Sequence, residues 1–160
     1  MSPLSRTLPS LAEPAYNAEV KSVPSLAASM TPFPYSVAAD APVTEATKMM
    51  DEHDFHHLPV TDGGQLVGVV SQRDILFAEA LGKEGLKVRD LQSRDPYVVD
   101  LKTTLLLEVV STMAERNLDA ALVTRQDKLV GILTTTDLAR ILAEVLRATV
   151  PPEPSSPEIA

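Results

Sequence analysis

Apolar positions along residues 35–150 follow two rhythms that alternate and then start again. Val43, Ala46 and Met50 recur at three- and four-residue spacing, as do Leu106, Val109, Val110 and Met113. That spacing marks one buried face of a helix. Short apolar segments at residues 35–37 and 97–99 precede these helices and read as strands. Each helix is followed by two apolar segments around a tight polar turn. In the first half these are residues 58–61 and 66–70, joined by Asp62-Gly63-Gly64-Gln65; in the second they are 121–124 and 129–133, joined by Arg125-Gln126-Asp127-Lys128. Gly63-Gly64 supplies the positive φ angles of a two-residue hairpin loop. A closing helix starts near Gln72 and again near Thr135, the latter with Leu138, Ile141, Leu142 and Val145 as its apolar stripe. Asp40 and Thr103 or Thr104 are expected to cap the first helix of each half, with Pro42 inside a first turn.

The recurrence is a duplication. Displaced by 63 residues, Glu45 falls on Glu108, Met50 on Met113, Val60-Thr61 on Val123-Thr124, Leu66-Val67-Gly68 on Leu129-Val130-Gly131, and Asp74 on Asp137. Upstream the offset is 62, so that Pro34-Tyr35 meets Pro96-Tyr97. The fold class expected is α/β, with two tandem β-α-β-β-α units. A unit of about 55 residues buries too little apolar surface to be comfortable alone. Packing the two about a pseudo-twofold axis covers the exposed sheet faces and leaves related clefts at the seam, where small ligands bind.

Leu58-Pro59-Val60 followed by Leu66-Val67-Gly68-Val69-Val70-Ser71-Gln72-Arg73-Asp74 resembles the signature of the CBS family. Leu129-Val130-Gly131-Ile132-Leu133-Thr134-Thr135-Thr136-Asp137 resembles it a second time. The resemblance covers about residues 25–147 in the paired arrangement known as a Bateman module. It implies a regulatory module, not an enzyme, whose clefts take an adenosine-containing ligand: AMP, ADP, ATP or S-adenosylmethionine. It implies that Ser71, Asp74, Thr134 and Asp137 contact ribose and phosphate beside Val69 and Ile132. It also implies that each cleft borrows the other copy's first strands: Phe33, Ala38 and Phe55 for the Asp137 cleft, Leu118 and Asp119 for the Asp74 cleft. A homodimer and an unidentified effector protein complete what it implies.

Each residue has a plainer reading. Ser71-x-x-Asp74 and Thr134-x-x-Asp137 are also capping boxes, and a carboxylate in a helix's first turn serves both roles. Phe33 and Phe55 serve equally as core. His56 and His57 stand where nucleotide-sensing members of the family carry His-Arg, so any charge they lend a phosphate depends on pH; otherwise they are surface residues. With His53 they are every histidine in the chain, and their spacing is not that of a metal site. Arg73 opposes the dipole of its helix, a placement that an anion would justify. Copy two has Thr136 there, and Asp119 where copy one has His56. The cleft of Asp74 is therefore expected to be the cationic one.

Composition narrows the classes. A formal charge of −8 without a basic stripe suits no polyphosphate backbone, so nucleic acid is not an expected partner. No cysteine is present, which excludes disulfides and thiolate chemistry. No apolar run approaches the roughly 18 residues of a membrane span, and a cytoplasmic protein without a membrane partner is the default. Of 13 prolines only Pro42, Pro59 and Pro96 fall within 35–150. Residues 1–22 are thus expected to form a mobile arm, 23–84 and 85–149 the two units, and 150–160 a disordered tail.

Overall fold

Two hairpins at equivalent places organise the chain, whose computed structural model describes residues 23–149. The expected arm and tail lie outside the described residues. β3 (His57–Asp62) pairs antiparallel with β4 (Gln65–Ser71), and β6 (Ala120–Arg125) with β7 (Lys128–Thr134). Both loops are two residues at positive φ: 55° and 82° at Gly63 and Gly64, 52° and 61° at Gln126 and Asp127. The register slips between Val60 and Thr61 and again, at the repeat offset, between Val123 and Thr124.

β2 (Val37–Ala38) lies parallel to β3, and β5 (Val98–Asp100) parallel to β6. Parallel neighbours need a crossover, which α2 (Val43–His53) and α5 (Leu106–Arg116) supply. The strands begin one or two residues later than expected because their tyrosines turn toward the helix ends. Tyr35 stacks on His53, and Arg116 lies over the Tyr97 ring. α2 buries Ala46 and Met50, while α5 buries Leu106, Val109 and Met113. Asp54 and Asn117 close the two helices in the left-handed region, which these residue types tolerate.

The expected caps are not formed. Pro42 and Leu105 occupy the N-cap positions without a side-chain hydrogen bond. Asp40 instead pairs with Lys87 at 3.3 Å and Arg89 at 2.7 Å, and the Thr103 amide donates to Asp100 in the preceding turn. α3 (Gln72–Ala80) and α6 (Thr135–Thr149) follow directly from β4 and β7. On α6, Leu138 and Ile141 are half-buried, but Leu142 and Val145 of the expected stripe are exposed.

The two units exchange the segments that lead into them. α1 (Leu26–Ser29) and β1 (Thr31–Pro32) precede the first unit yet pack on the second. β1 pairs with β7, Thr31 opposite Ile132 and Pro32 opposite Gly131, and Leu26 joins Val99, Val109, Met113 and Leu133 in the second core. α4 (Val88–Leu91) precedes the second unit and packs on the first, where Val88 joins Met50, Leu58, Val70 and Ile75. Ser93 and Val69 exchange backbone hydrogen bonds of 2.8 and 3.4 Å. The result is a four-stranded sheet, β1-β7-β6-β5, beside a three-stranded one, β2-β3-β4. Pro32 is tolerated because β1 is an edge.

This exchange accounts for the glycine of each repeated motif. A Cβ on Gly68 would stand 2.5 Å from the Ser93 carbonyl oxygen, and one on Gly131 would overlap the Met30 thioether.

Candidate functional site

β4 and β7 meet where the units face each other, and each runs directly into a helix whose first turn carries an acid. On the second unit Asp137 Oδ2 accepts from the Thr134 amide at 2.9 Å and from Thr134 Oγ1 at 2.7 Å. Its Oδ1 takes Arg140 Nη1 at 2.9 Å. Asp137 is buried at 5 % exposure, with Oδ2 taken by the cap and Oδ1 by one arginine, which leaves Oδ1 the capacity to accept one more donor. On the first unit Asp74 Oδ2 accepts from the Ser71 amide at 3.2 Å and from Ser71 Oγ at 2.5 Å, but Asp74 is exposed. Both motifs are therefore capping boxes. The same local sequence makes a buried wall in one copy and an open surface in the other.

A cavity of about 640 Å³ lies against the Asp137 side. The second unit contributes Ile132, Thr134, Thr135, Thr136, Asp137, Arg140 and Asp119. The lead-in strand contributes Thr31, Pro32 and Phe33, and the first unit adds Tyr35, His53, Phe55, His56, His57 and Arg73. Three of these rings are stacked: Tyr35 on His53 with centroids 4.2 Å apart, and Phe55 within 5.9 Å of Tyr35 and 5.6 Å of His53. Phe33 sits at φ 47° and is 83 % exposed, so it is a flap of the cavity and not core. The strained φ is a cost that core packing does not offset.

The expected division of charge between the clefts is met only in part, because the same basic residues border both recesses. His56, His57 and Arg73 stand on the wall of the cavity that holds Asp137. They also border a shallower depression with Ser71, Gln72, Leu76 and Phe77. Arg73 Nη2 donates to Asp119 Oδ2, which joins the two units and satisfies both charges. His57 has its pKa lowered, first by burial and then by His56 and Arg73, against the opposing pull of Asp119 and Asp74. It is therefore held neutral more firmly than an ordinary histidine.

Of the remaining expected residues, Asp74, Ala38, Val69 and Leu118 line neither recess. Ala38 is exposed on β2, Val69 is engaged with Ser93, and Leu118 packs against the second core. Tyr35, His53 and Arg140 were not among the expected site residues. Arg140 could have been found from its place three residues after Asp137 on a helix. The ring stack had no local signal, since it needs the end of α2 folded back on the chain before β2. Among the described residues no group of three or more His, Cys, Asp or Glu could hold a metal ion. No helix of the described residues is long and apolar enough to cross a membrane.

Comparison with known proteins gives a consistent result. The CBS domain family model matches residues 20–80 and 88–144. Hypoxic response protein 1 of Mycobacterium tuberculosis is 32% identical over 106 residues, which are 64% of this chain and 73% of that protein. Inosine-5'-monophosphate dehydrogenase of Korarchaeum cryptofilum is 34% identical over 104 residues, 64% of this chain but 21% of the enzyme. The chain spans 21%, 26%, 36% and 31% of the first four curated relatives it matches. Among solved structures, the CBS domain pair of protein MJ0100 in complex with 5′-methylthioadenosine and S-adenosyl-L-methionine superposes with a TM-score of 0.70 at 23% identity, over 77% of this chain and 98% of that one. CBSX2 in complex with AMP superposes at 0.63 with 29% identity, over 72% and 93%.

Proposed function

We propose, for a chain that belongs to the CBS domain family and carries two tandem copies of that domain, that its seam cavity is a regulatory site for an adenosine-containing ligand. One observation carries the reading. The cavity sets the stacked Tyr35, His53 and Phe55 from one unit opposite the Thr134–Asp137 capping box of the other. A purine ring suits an aromatic wall. A ribose diol suits threonine hydroxyls and a carboxylate, and the guanidiniums of Arg73 and Arg140 suit a phosphate. Because both units line the cavity, a ligand that prefers one arrangement of the pair shifts the equilibrium between arrangements. The output passes to a protein partner, which fits a regulatory role for a cytoplasmic protein and not a catalytic one.

A second copy is the first partner proposed. Leu76 and Phe77 on α3 and Leu142 on α6 are large apolar side chains at 57%, 67% and 56% exposure. Covering apolar side chains this exposed is what self-association achieves. Sedimentation of the full chain should give a dimer, and Phe77→Glu should shift it toward monomer; a monomeric parent chain ends the homodimer proposal.

The ligand proposal is tested by thermal unfolding of the full chain with AMP, ADP, ATP, 5′-methylthioadenosine and S-adenosylmethionine. At a hundredfold excess over the dissociation constant the binding ligand should add about 2.7 kcal/mol. No shift with any of the five would leave the family's ligand-free, structural role as the answer. The exposed Asp74, which lines neither recess, favours that role for the Asp74 side.

A further inference from the structure

We infer, building on the adenosine reading above, that two arginines, one from each unit, make the cavity select phosphorylated ligands, and that Asp119 sets the strength of that selection. Arg73 comes from the first turn of α3 and Arg140 from the second turn of α6, and both line the same cavity. Each guanidinium rests on a carboxylate of the wall, Arg73 on Asp119 and Arg140 on Asp137.

The two pairs differ in kind. Arg140 and Asp137 are three residues apart on one helix, and the Asp137 side chain is 7% exposed and anchored by Thr134. That pair is part of the second unit's own structure. Arg73 and Asp119 are 46 residues apart and join the units, with side chains 78% and 41% exposed. The residues at the equivalent positions, Thr136 and His56, cannot form an ion pair of this kind, so it belongs to one side of the seam alone.

An exposed guanidinium–carboxylate pair is weakly held. A phosphate monoester carries more charge than a carboxylate and presents oxygens to the same planar fork. It therefore takes Arg73 away from Asp119, while Arg140, three residues along the helix from Asp137, offers a second guanidinium on the lining of the same cavity. An unphosphorylated nucleoside leaves the inter-unit pair intact. Asp119 is thus a competitor for the phosphate-reading arginine, and phosphate binding is linked to release of a contact between the units. A ligand with a neutral or cationic group at that position gains nothing from either arginine.

Calorimetric titration of the full chain with AMP and with adenosine separates this from the reading beneath it. The parent chain should bind AMP about tenfold more tightly than adenosine or better. Arg73→Gln should bring AMP toward adenosine while changing adenosine less than about twofold, and Arg140→Gln should lower the ratio of AMP to adenosine affinity. Asp119→Asn should tighten AMP by about two- to fivefold, the range expected when an exposed competing pair is removed, and leave adenosine unchanged. Asp119→Glu, which keeps the charge, should behave as the parent. Equal affinity of the parent for AMP and adenosine would overturn the inference and leave the adenosine site standing. So would an Asp119→Asn variant that weakens AMP, or that moves both ligands together. Binding of neither ligand would overturn both.

Discussion

Replacing Gly68 with alanine tests the exchange of lead-in segments on which the seam depends. The backbone at Gly68 is not in the left-handed region, so alanine meets no conformational penalty of its own there. The penalty is contact: the new Cβ would lie 2.5 Å from the Ser93 carbonyl oxygen and 3.1 Å from the Gln92 side chain. A backbone oxygen cannot rotate away, so residues 92–93 must move off β4. That movement breaks or stretches the paired Val69–Ser93 hydrogen bonds of 2.8 and 3.4 Å, each worth about 0.5–1.5 kcal/mol. It also pulls on fully buried Val88. The lower unfolded-state entropy of alanine returns about 0.5–1 kcal/mol, leaving a net loss of about 1 kcal/mol from the hydrogen bonds, to which the displacement of Val88 adds. Gly131→Ala, at the same place in the second motif, meets a methionine side chain that can swing aside, and should cost less than about 1 kcal/mol. Urea unfolding of both variants measures the difference, and a thermal melt of Gly68→Ala should show a drop in Tm of roughly 3–6 °C. If Gly131→Ala is the more damaging, or Gly68→Ala is neutral, the steric account of the motif glycines is wrong.

Three further outcomes follow from the same geometry. Asp137→Ala should weaken adenosine binding by about tenfold to a hundredfold, from the loss of a charged hydrogen-bond acceptor, whereas Asp74→Ala should change it by less than about twofold; the reverse order in calorimetry would move the site to the other unit. His57 has a folded pKa below its unfolded value near 6.5, so the unfolded chain takes up the proton first as pH falls. Its contribution to stability is therefore complete above about pH 6.5 and is lost as pH falls through that value toward the folded pKa. Urea midpoints between pH 8 and 5.5 should fall less steeply for His57→Gln, and parallel curves would remove His57 from the account. Gln126 and Asp127 hold left-handed φ angles that the first hairpin assigns to two glycines; Gln126→Asn with Asp127→Gly should raise stability by about 0.5–1 kcal/mol, and a lower unfolding midpoint would contradict that reading of the loop.

The hairpins, the crossover helices and the duplication were legible because each leaves a local mark. Short apolar segments flank Gly63-Gly64 in one copy beside a helix of period 3.6, and identities at a fixed offset connect it with the other. The lead-in exchange was not legible in the same way. β1 is two residues long and includes Pro32, and α1 and α4 are one turn each, so none has a period to detect. The family resemblance implied that each cleft borrows the other copy's first strands, but the residues themselves leave only an indirect trace: Gly68 and Gly131 lie inside strand patterns where a side chain would ordinarily pack. Such a glycine signals close backbone approach, but it does not say which segment approaches. The cap expectations failed for a related reason. Asp40 has a suitable side chain two residues before a proline, yet Lys87 and Arg89, distant in sequence, compete for it and win.

At the site, residue types were easier to read than their partition. The two motifs match in sequence, so symmetry assigns each charge to the acid of its own copy. Near a pseudo-twofold axis that rule breaks down, because a long side chain from one unit reaches across the seam. Arg73 does this when it pairs with Asp119, and its guanidinium thereby borders the cavity whose acid is Asp137. Aromatic residues divide the clefts further. Phe33 and Phe55 of the first half have Asp95 and Leu118 as their counterparts in the second, and Leu118 packs into a core. The stacked wall therefore arises on one side alone. The two halves of the duplication differ at positions 33, 55, 56 and 73, and those differences put the aromatic wall, the histidines and a shared arginine on one cavity. A ligand of the kind proposed would touch both units there through groups that the other side lacks, so on that proposal one cleft is enough to bias the pair.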